Sequence, residues 1–93
     1  MNESFEWDEA KAAENYVKHG VSFETAVKVF TDPFAVERLD DREDYGEERF
    51  ILIGPAEEAV ITVVYTERNG RFRIISARRA TRHEQDDYFI END

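Results

Sequence analysis

The residues in this chain best suited to chemistry crowd into one window. Between Arg68 and His83 stand six arginines (Arg68, Arg71, Arg73, Arg78, Arg79 and Arg82) and one histidine, with no aspartate or glutamate. A guanidinium keeps its charge at any physiological pH, and its planar fork matches phosphoryl oxygens two at a time. His83, with a reference pKa of about 6.5, is the side chain in the window ready to move a proton near neutrality. The window carries +6, which leaves −16 for the rest of a chain whose net charge is −10. Charge segregated this far points to a site for an anion. The competing reading is structural: each arginine pairs with one of the 22 acids, of which Glu67 and Glu84 already border the window.

Two strands and a helix must position these groups. VITVVYTE and RFRIISAR are separated by Asn69-Gly70, a pair that tolerates φ > 0 and marks a hairpin. Thr81 followed by Glu84 reads as a capping box opening the last helix. The free N–H groups of a helix N-terminus favour an anion. Arg78 and Arg79 at the strand exit, with Arg82 and His83 in the first turn, would surround that end. Regular alternation puts Arg71, Arg73, Ile75 and Ala77 on one side of the strand and Phe72, Ile74, Ser76 and Arg78 on the other. In a regular strand, then, Arg73 and Arg78 cannot face one site.

Upstream, Phe5-Glu6-Trp7 alternates and predicts a short edge strand, with Trp7 as a core anchor. Asp8 caps a helix EAKAAENYVKH, with Ala10, Ala13, Tyr16 and Val17 on one apolar face and Gly20 as its stop. His19, just before that stop, suits the helix dipole when cationic. Ser22 caps a second helix whose Phe23, Ala26, Val27 and Phe30 form a core-facing stripe, ended by Asp32-Pro33. Phe34 to Leu39 reads as a strand. The acidic stretch Glu37 to Glu48 reads as a solvated loop turning at Gly46, although Asp40, Asp41 and Asp44 are the kind of oxygen ligands a divalent cation takes. Arg49 to Ile53 is a strand closed by Gly54-Pro55, and Glu57-Glu58 turns into the hairpin. The order β-α-α-β-β-β-β-α predicts an α+β fold. A small antiparallel β-meander is packed by an N-terminal helical hairpin and a C-terminal helix, in a single domain over 1–93 whose last residues, Ile90 to Asp93, fray.

Composition narrows the function. With 41% hydrophobic residues and 13% aromatics the chain folds around one core. It has no cysteine, hence no disulfide, thiolate ligand or cysteine nucleophile. No apolar run is long enough to span a bilayer, and MNESFEWDEA lacks the marks of a secretory signal, so a cytoplasmic protein without membrane contact is expected. No Gly-rich phosphate loop, G-x-S-x-G elbow or HExxH helix is present, and two histidines are too few for a three-histidine zinc site. No cofactor or metal is expected. The acidic balance argues against general nucleic-acid binding. Screening beyond about 8 Å still lets a polyanion near the arginine window feel mainly that window.

Three blocks carry a resemblance: WDEAKAAENYVKHGVSFETAVKVFTDP (Trp7–Pro33), GEERFILIG (Gly46–Gly54) and VVYTERNGRFRIISARRATRHEQDDY (Val63–Tyr88). In this order and spacing they resemble the BrnT family, toxins of bacterial type II toxin–antitoxin systems. The resemblance implies a RelE-like ribonuclease fold and RNA cleavage that halts translation. It also implies neutralisation by a BrnA-type antitoxin that binds DNA through a ribbon-helix-helix domain, so that DNA is reached only through the antitoxin, and leaves room for a dimer or a heterotetramer with it. The family's charged motif positions fall on Lys11, Glu47, Arg49, Arg68, Arg73, Arg78, Arg79 and His83, with Tyr65 beside them. The chain departs from the family pattern after RRATRHE, where Gln85-Asp86-Asp87 replaces a more basic run.

Cleavage of RNA without metal uses the 2′-OH as internal nucleophile. It needs a base, positive charge for the phosphorane, and an acid for the leaving 5′-oxygen. Arg78 or Arg79 is expected to hold the scissile phosphate, with Arg73 and Arg49 in support and His83 moving protons. Glu47 and Tyr65 are weaker candidates for proton transfer, and Arg68, Arg71, Arg82 and Lys11 are expected to hold RNA. Each has a bland counterpart: Tyr65 as core, Glu47 as loop surface, Arg49 as an ion-pair partner. The alternative function is a binding module without catalysis whose basic face docks an acidic or antitoxin segment. A lone DNA-binding regulator fits least, since no helix carries a basic recognition face.

Overall fold

The computed structural model describes residues 4–92. Met1–Glu3, part of the stretch read above for a signal, and Asp93, part of the expected fraying end, lie outside it. The elements are β1 (Phe5–Glu6), α1 (Glu9–His19), α2 (Phe23–Val29), β2 (Val36–Asp40), β3 (Arg49–Ala56), β4 (Ala59–Arg68), β5 (Arg71–Arg79) and α3 (Arg82–Glu91). The order β-α-α-β-β-β-β-α is the expected one, and the fold is α+β. One sheet runs β1-β5-β4-β3-β2. Its last four strands form an antiparallel meander. β1 joins the edge parallel to β5, with Glu6 opposite Arg73.

Local chemistry sets the element ends. A helix leaves its first N–H groups without partners, and here side chains supply them. Asp8 accepts from the Lys11 amide, and Ser22 from the Thr25 amide. At α3 the capping box is complete: Thr81 accepts from the Glu84 amide and Glu84 from the Thr81 amide. Gly20 ends α1 at φ 70°. Asn69 and Gly70 turn the β4–β5 hairpin at φ 54° and 77°.

The sheet is covered on both faces. On one, Phe23, Ala26 and Val29 of α2 bury against Leu52, Ile61, Val63, Tyr65, Ile74 and Ala77. Phe30 packs its ring on Phe5 and Tyr65, each at 4.9 Å between centroids. On the other, Val36, Ile53 and Ala80 are buried with Tyr88 of α3 against them.

Three features differ from the sequence expectation. The first is the facing of α1. Ala10 and Ala13 are exposed, Tyr16 is 56% exposed and Val17 89%. The helix docks instead through Ala12 and Asn15. Asn15 Nδ2 donates to the Val21 carbonyl at 3.0 Å and the Ala77 carbonyl at 2.7 Å, and Asn15 Oδ1 accepts from the Ala77 amide at 3.2 Å. Its carboxamide thus pairs with the β5 backbone beyond the end of β1, a contact that apolar periodicity does not register.

Second, β3 runs through Gly54-Pro55 to Ala56. Pro55 lies past the end of β2, whose first residue, Val36, faces Ile53, so no neighbour on that side needs its missing N–H. Gly54 leaves room for close packing, since a Cβ there would meet Val29 Cγ1 at 3.1 Å and Ala35 Cβ at 3.3 Å and press on both.

Third, β5 is not regular. Val64 faces Ser76 but Tyr65 faces Ile74, leaving Ile75 as an extra residue. This bulge resets the alternation. Ile74 and Ala77 both point into the helix-covered core, and Arg73 and Arg78 both point to the opposite side.

Candidate functional site

The sheet face away from α1 and α2 collects the arginines. Arg78 stands opposite Thr62, Arg73 opposite Thr66, and Arg71 opposite Arg68. Arg49, opposite Asp40 on β2, shares the side, because directly paired residues lie on one face. α3 covers the Arg78 end of this face. Arg73 and Arg78, which a regular strand would separate, are brought together by the bulge.

Each guanidinium on this face already holds an anion or a carbonyl. Arg78 grips Glu84 with both nitrogens, NH1 to Oε1 at 2.7 Å and NH2 to Oε2 at 2.9 Å. Glu84 Oε1 also accepts from the Thr62 hydroxyl at 3.0 Å and the Thr81 amide at 2.8 Å. Burial works against the ionised Glu84, but the hydrogen bonds from Arg78, Thr81 and Thr62 outweigh it and hold its pKa down to about 2. The same carboxylate raises the pKa of Arg78. Arg73 NH1 donates to Glu6 Oε2 at 2.8 Å, and Arg71 NH2 to the Phe5 carbonyl at 2.9 Å. Glu47 lies between Arg68, at 2.8 Å, and Arg49, at 3.1 Å. The Arg68 hydrogen bond, against some desolvation and with help from Arg49, keeps the Glu47 pKa low. The Arg49 guanidinium also stacks 4.2 Å above the Tyr45 ring.

On α3, Arg82 Nε lies 3.6 Å from Asp86 and His83 Nε2 lies 3.6 Å from Asp87. Both are strongly exposed and sit on the helix that packs on the arginine side. The structural reading of the window is therefore realised for most of its arginines. Some of the acids that realise it are local, Glu84 six positions from Arg78 and Asp86 four from Arg82, and others are remote: Glu6 is 67 positions from Arg73.

Three of the proposed site residues lie elsewhere. Arg79 stands opposite Ile61, on the helix side of the sheet. It is exposed at the mouth of a cavity of about 300 Å³ bordered by Gly20, Thr25, Glu57 and Glu58; its carbonyl accepts from Arg78 NH1 at 3.3 Å, while its guanidinium makes no ion pair or hydrogen bond with another described residue. Lys11 is exposed on α1. Tyr65 is a core residue, 5% exposed, whose hydroxyl donates to Glu37. Burial first, then Glu37, pushes its phenol upward, away from proton exchange near neutrality. The sheet separates all three from Arg49, Arg73 and Arg78.

Sequence reasoning missed Glu6, Thr62 and Arg42. Arg42 comes from the stretch read as a solvated acidic loop. It is fixed by Asp40, with Nε to Oδ1 and NH2 to Oδ2 both at 2.7 Å, and Asp40 is buried and accepts from the Tyr45 hydroxyl as well. Those bonds from Arg42 hold the Asp40 pKa below its usual value. The charge of Arg42 also reaches Arg78, where it opposes protonation. An Asp two residues before an Arg was the only sign in the sequence. The described residues hold no cluster of three His, Cys, Asp or Glu side chains placed for a metal ion, and none of their helices is long and apolar enough to cross a membrane.

The fold and this face define a class: a small α+β domain that gathers arginines from three adjacent strands on one sheet face. A family model described as the ribonuclease toxin, BrnT, of type II toxin–antitoxin systems matches residues 7–84. The chain belongs to the BrnT family. No individual curated protein matches it.

Proposed function

We propose that this BrnT-family protein is an endoribonuclease that cuts RNA through the substrate's own 2′-OH without a metal and thereby halts translation. The observation that carries this reading is the β5 bulge, which puts Arg73 and Arg78 on the face that also holds Arg49, Arg68 and Arg71. Phosphates of a single strand crossing this face exchange for Glu6, Glu47 and Glu84. The arginine forks then hold the scissile phosphate and stabilise the charge of the phosphorane. His83 on the first turn of α3 is our assignment for proton transfer. Glu47 keeps Arg49 and Arg68 in place and, with its low pKa, is a poor base. A BrnA-type antitoxin with a ribbon-helix-helix domain neutralises the protein in the cytoplasm, as a dimer or heterotetramer, and supplies the contact with DNA.

One observation favours the second reading, a binding module without catalysis: carboxylates of the chain itself occupy Arg49, Arg68, Arg73 and Arg78. The two readings separate in one assay. Purified protein is incubated in EDTA with a short single-stranded RNA and with analogues lacking the 2′-OH at each position. The proposal expects the RNA to be cut and the analogue spared at the scissile position. Cutting of the fully deoxy strand, or cutting only after magnesium is added, overturns the mechanism. No cutting together with tight antitoxin binding selects the module.

A further inference from the structure

Three of the four acids of α3 lie against cations assigned to the site. Glu84 takes both nitrogens of Arg78, Asp86 lies against Arg82, and Asp87 lies against His83. The proposed mechanism gives Asp86 and Asp87 no part. The helix has no fully buried residue. Its hold on the rest of the domain is largely polar: Glu84 on Thr62, and Asp87 and Glu91 on Arg38 at 3.5 and 3.1 Å, in the sheet, with the Tyr88 hydroxyl on Asp32 at 2.7 Å and Asn92 on the Phe34 carbonyl at 3.1 Å in the turn before β2. Exposed ion pairs of this kind contribute little net stability and weaken with salt.

We infer that α3 is a built-in anionic cover: Glu84 stands on Arg78 where an RNA phosphate binds and must be displaced before RNA can engage that arginine, while Asp86 and Asp87 compete with RNA for the exposed Arg82 and His83 beside them. The inference rests on the RNA reading of the arginine face. A carboxylate gripped by both guanidinium nitrogens uses the geometry a phosphoryl group uses. The exchange is therefore one anion for another on an unchanged cation, with no new pocket required.

The test is equilibrium binding of a fluorescein-labelled, 2′-O-methyl single-stranded RNA, which cannot be cut, followed by anisotropy over a range of salt. Glu84→Gln/Asp86→Asn/Asp87→Asn is compared with wild type. Asp86→Asn/Asp87→Asn leaves the capping box intact, in case the triple variant loses α3, and circular dichroism reports the helix. Glu9→Gln/Glu14→Gln/Glu24→Gln, on the α1–α2 side, removes the same charge without touching the cover. Arg78→Ala in the wild-type background reports whether RNA uses this face.

The cover predicts that the triple variant binds about tenfold tighter or more at low salt, and the double variant by a smaller factor. It also predicts a slope of log affinity against log salt steeper by about 0.7 for each arginine released, about 1.4 for Arg78 and Arg82 together. If the α3 variants bind no tighter than the α1–α2 control while Arg78→Ala still weakens binding, the cover is wrong and the RNA face stands. If none of the proteins binds RNA, the RNA reading falls and the cover with it.

Discussion

At the scale of single residues, Glu84 has two roles that share one carboxylate: it caps α3 and holds Arg78. Its pKa is about 2 against an ordinary 4.5. Because the folded value is the lower one, the unfolded chain takes up the proton first as the pH drops. The contribution of Glu84 to stability is complete above about pH 4.5 and is lost as the pH falls toward 2. It amounts to at most about 3 kcal/mol before solvent screening reduces it. Melting curves across that range should show the wild type losing more stability than Glu84→Gln, and parallel losses would reject the assignment. The arginines make a second prediction. Arg73→Ala should lower RNA cleavage by about 100-fold, the scale of losing one electrostatic donor. Arg79→Ala, on the other face, should leave cleavage near wild type with an unchanged melting curve. Equal losses in the two variants would place the site at the strand end, not on the face. The residue types of the site were legible in the sequence. Of their partners only the neighbouring Glu84 was legible; Glu6 and Glu47 were not, because they reach Arg73 and Arg68 only across strands that pair at long range.

At the scale of elements, what the sequence announced locally is what the structure shows. Asp8, Ser22, Thr81 with Glu84, Gly20 and Asn69-Gly70 each act within a few residues, so their chemistry could be read without knowing the fold. The facing of α1 and the bulge at Ile75 could not. The first depends on Asn15 finding the Ala77 backbone, 62 positions away. The second has no glycine or proline to mark it and arises from how β5 pairs with β4. Asn15→Ala would strand the Ala77 N–H and two carbonyls in a buried setting. At about 1–3 kcal/mol for a buried polar group left unpaired, the loss should be about 2–4 kcal/mol, seen as a lower denaturant midpoint at unchanged slope. A loss below about 0.5 kcal/mol would mean that α1 docks by its apolar contacts alone. Phe30→Ala, in the ring cluster with Phe5, Tyr65 and Phe72, should cost about 3–5 kcal/mol by the same measurement. An unchanged curve would place that ring outside the core.

At the scale of the whole molecule, a chain of net charge −10 presents Arg49, Arg68, Arg71, Arg73 and Arg78 on one sheet face and holds them with its own acids and a carbonyl. RNA binding should therefore depend steeply on ionic strength, with affinity falling in proportion to a power of salt set by the number of phosphates held. Titrations at several salt concentrations measure that number directly, and a flat dependence would rule out the arginine face as the contact. The bulge at Ile75 has a further consequence for how this fold tolerates change. A single insertion or deletion in a strand reverses the side on which every later residue lies, and for most strands that is ruinous. Here the two residues at the end of β5 are both arginine. Whichever parity the strand adopts, one of Arg78 and Arg79 lands on the site side. A variant of this chain that lost the bulge would therefore still carry an arginine on the site side, with no further substitution.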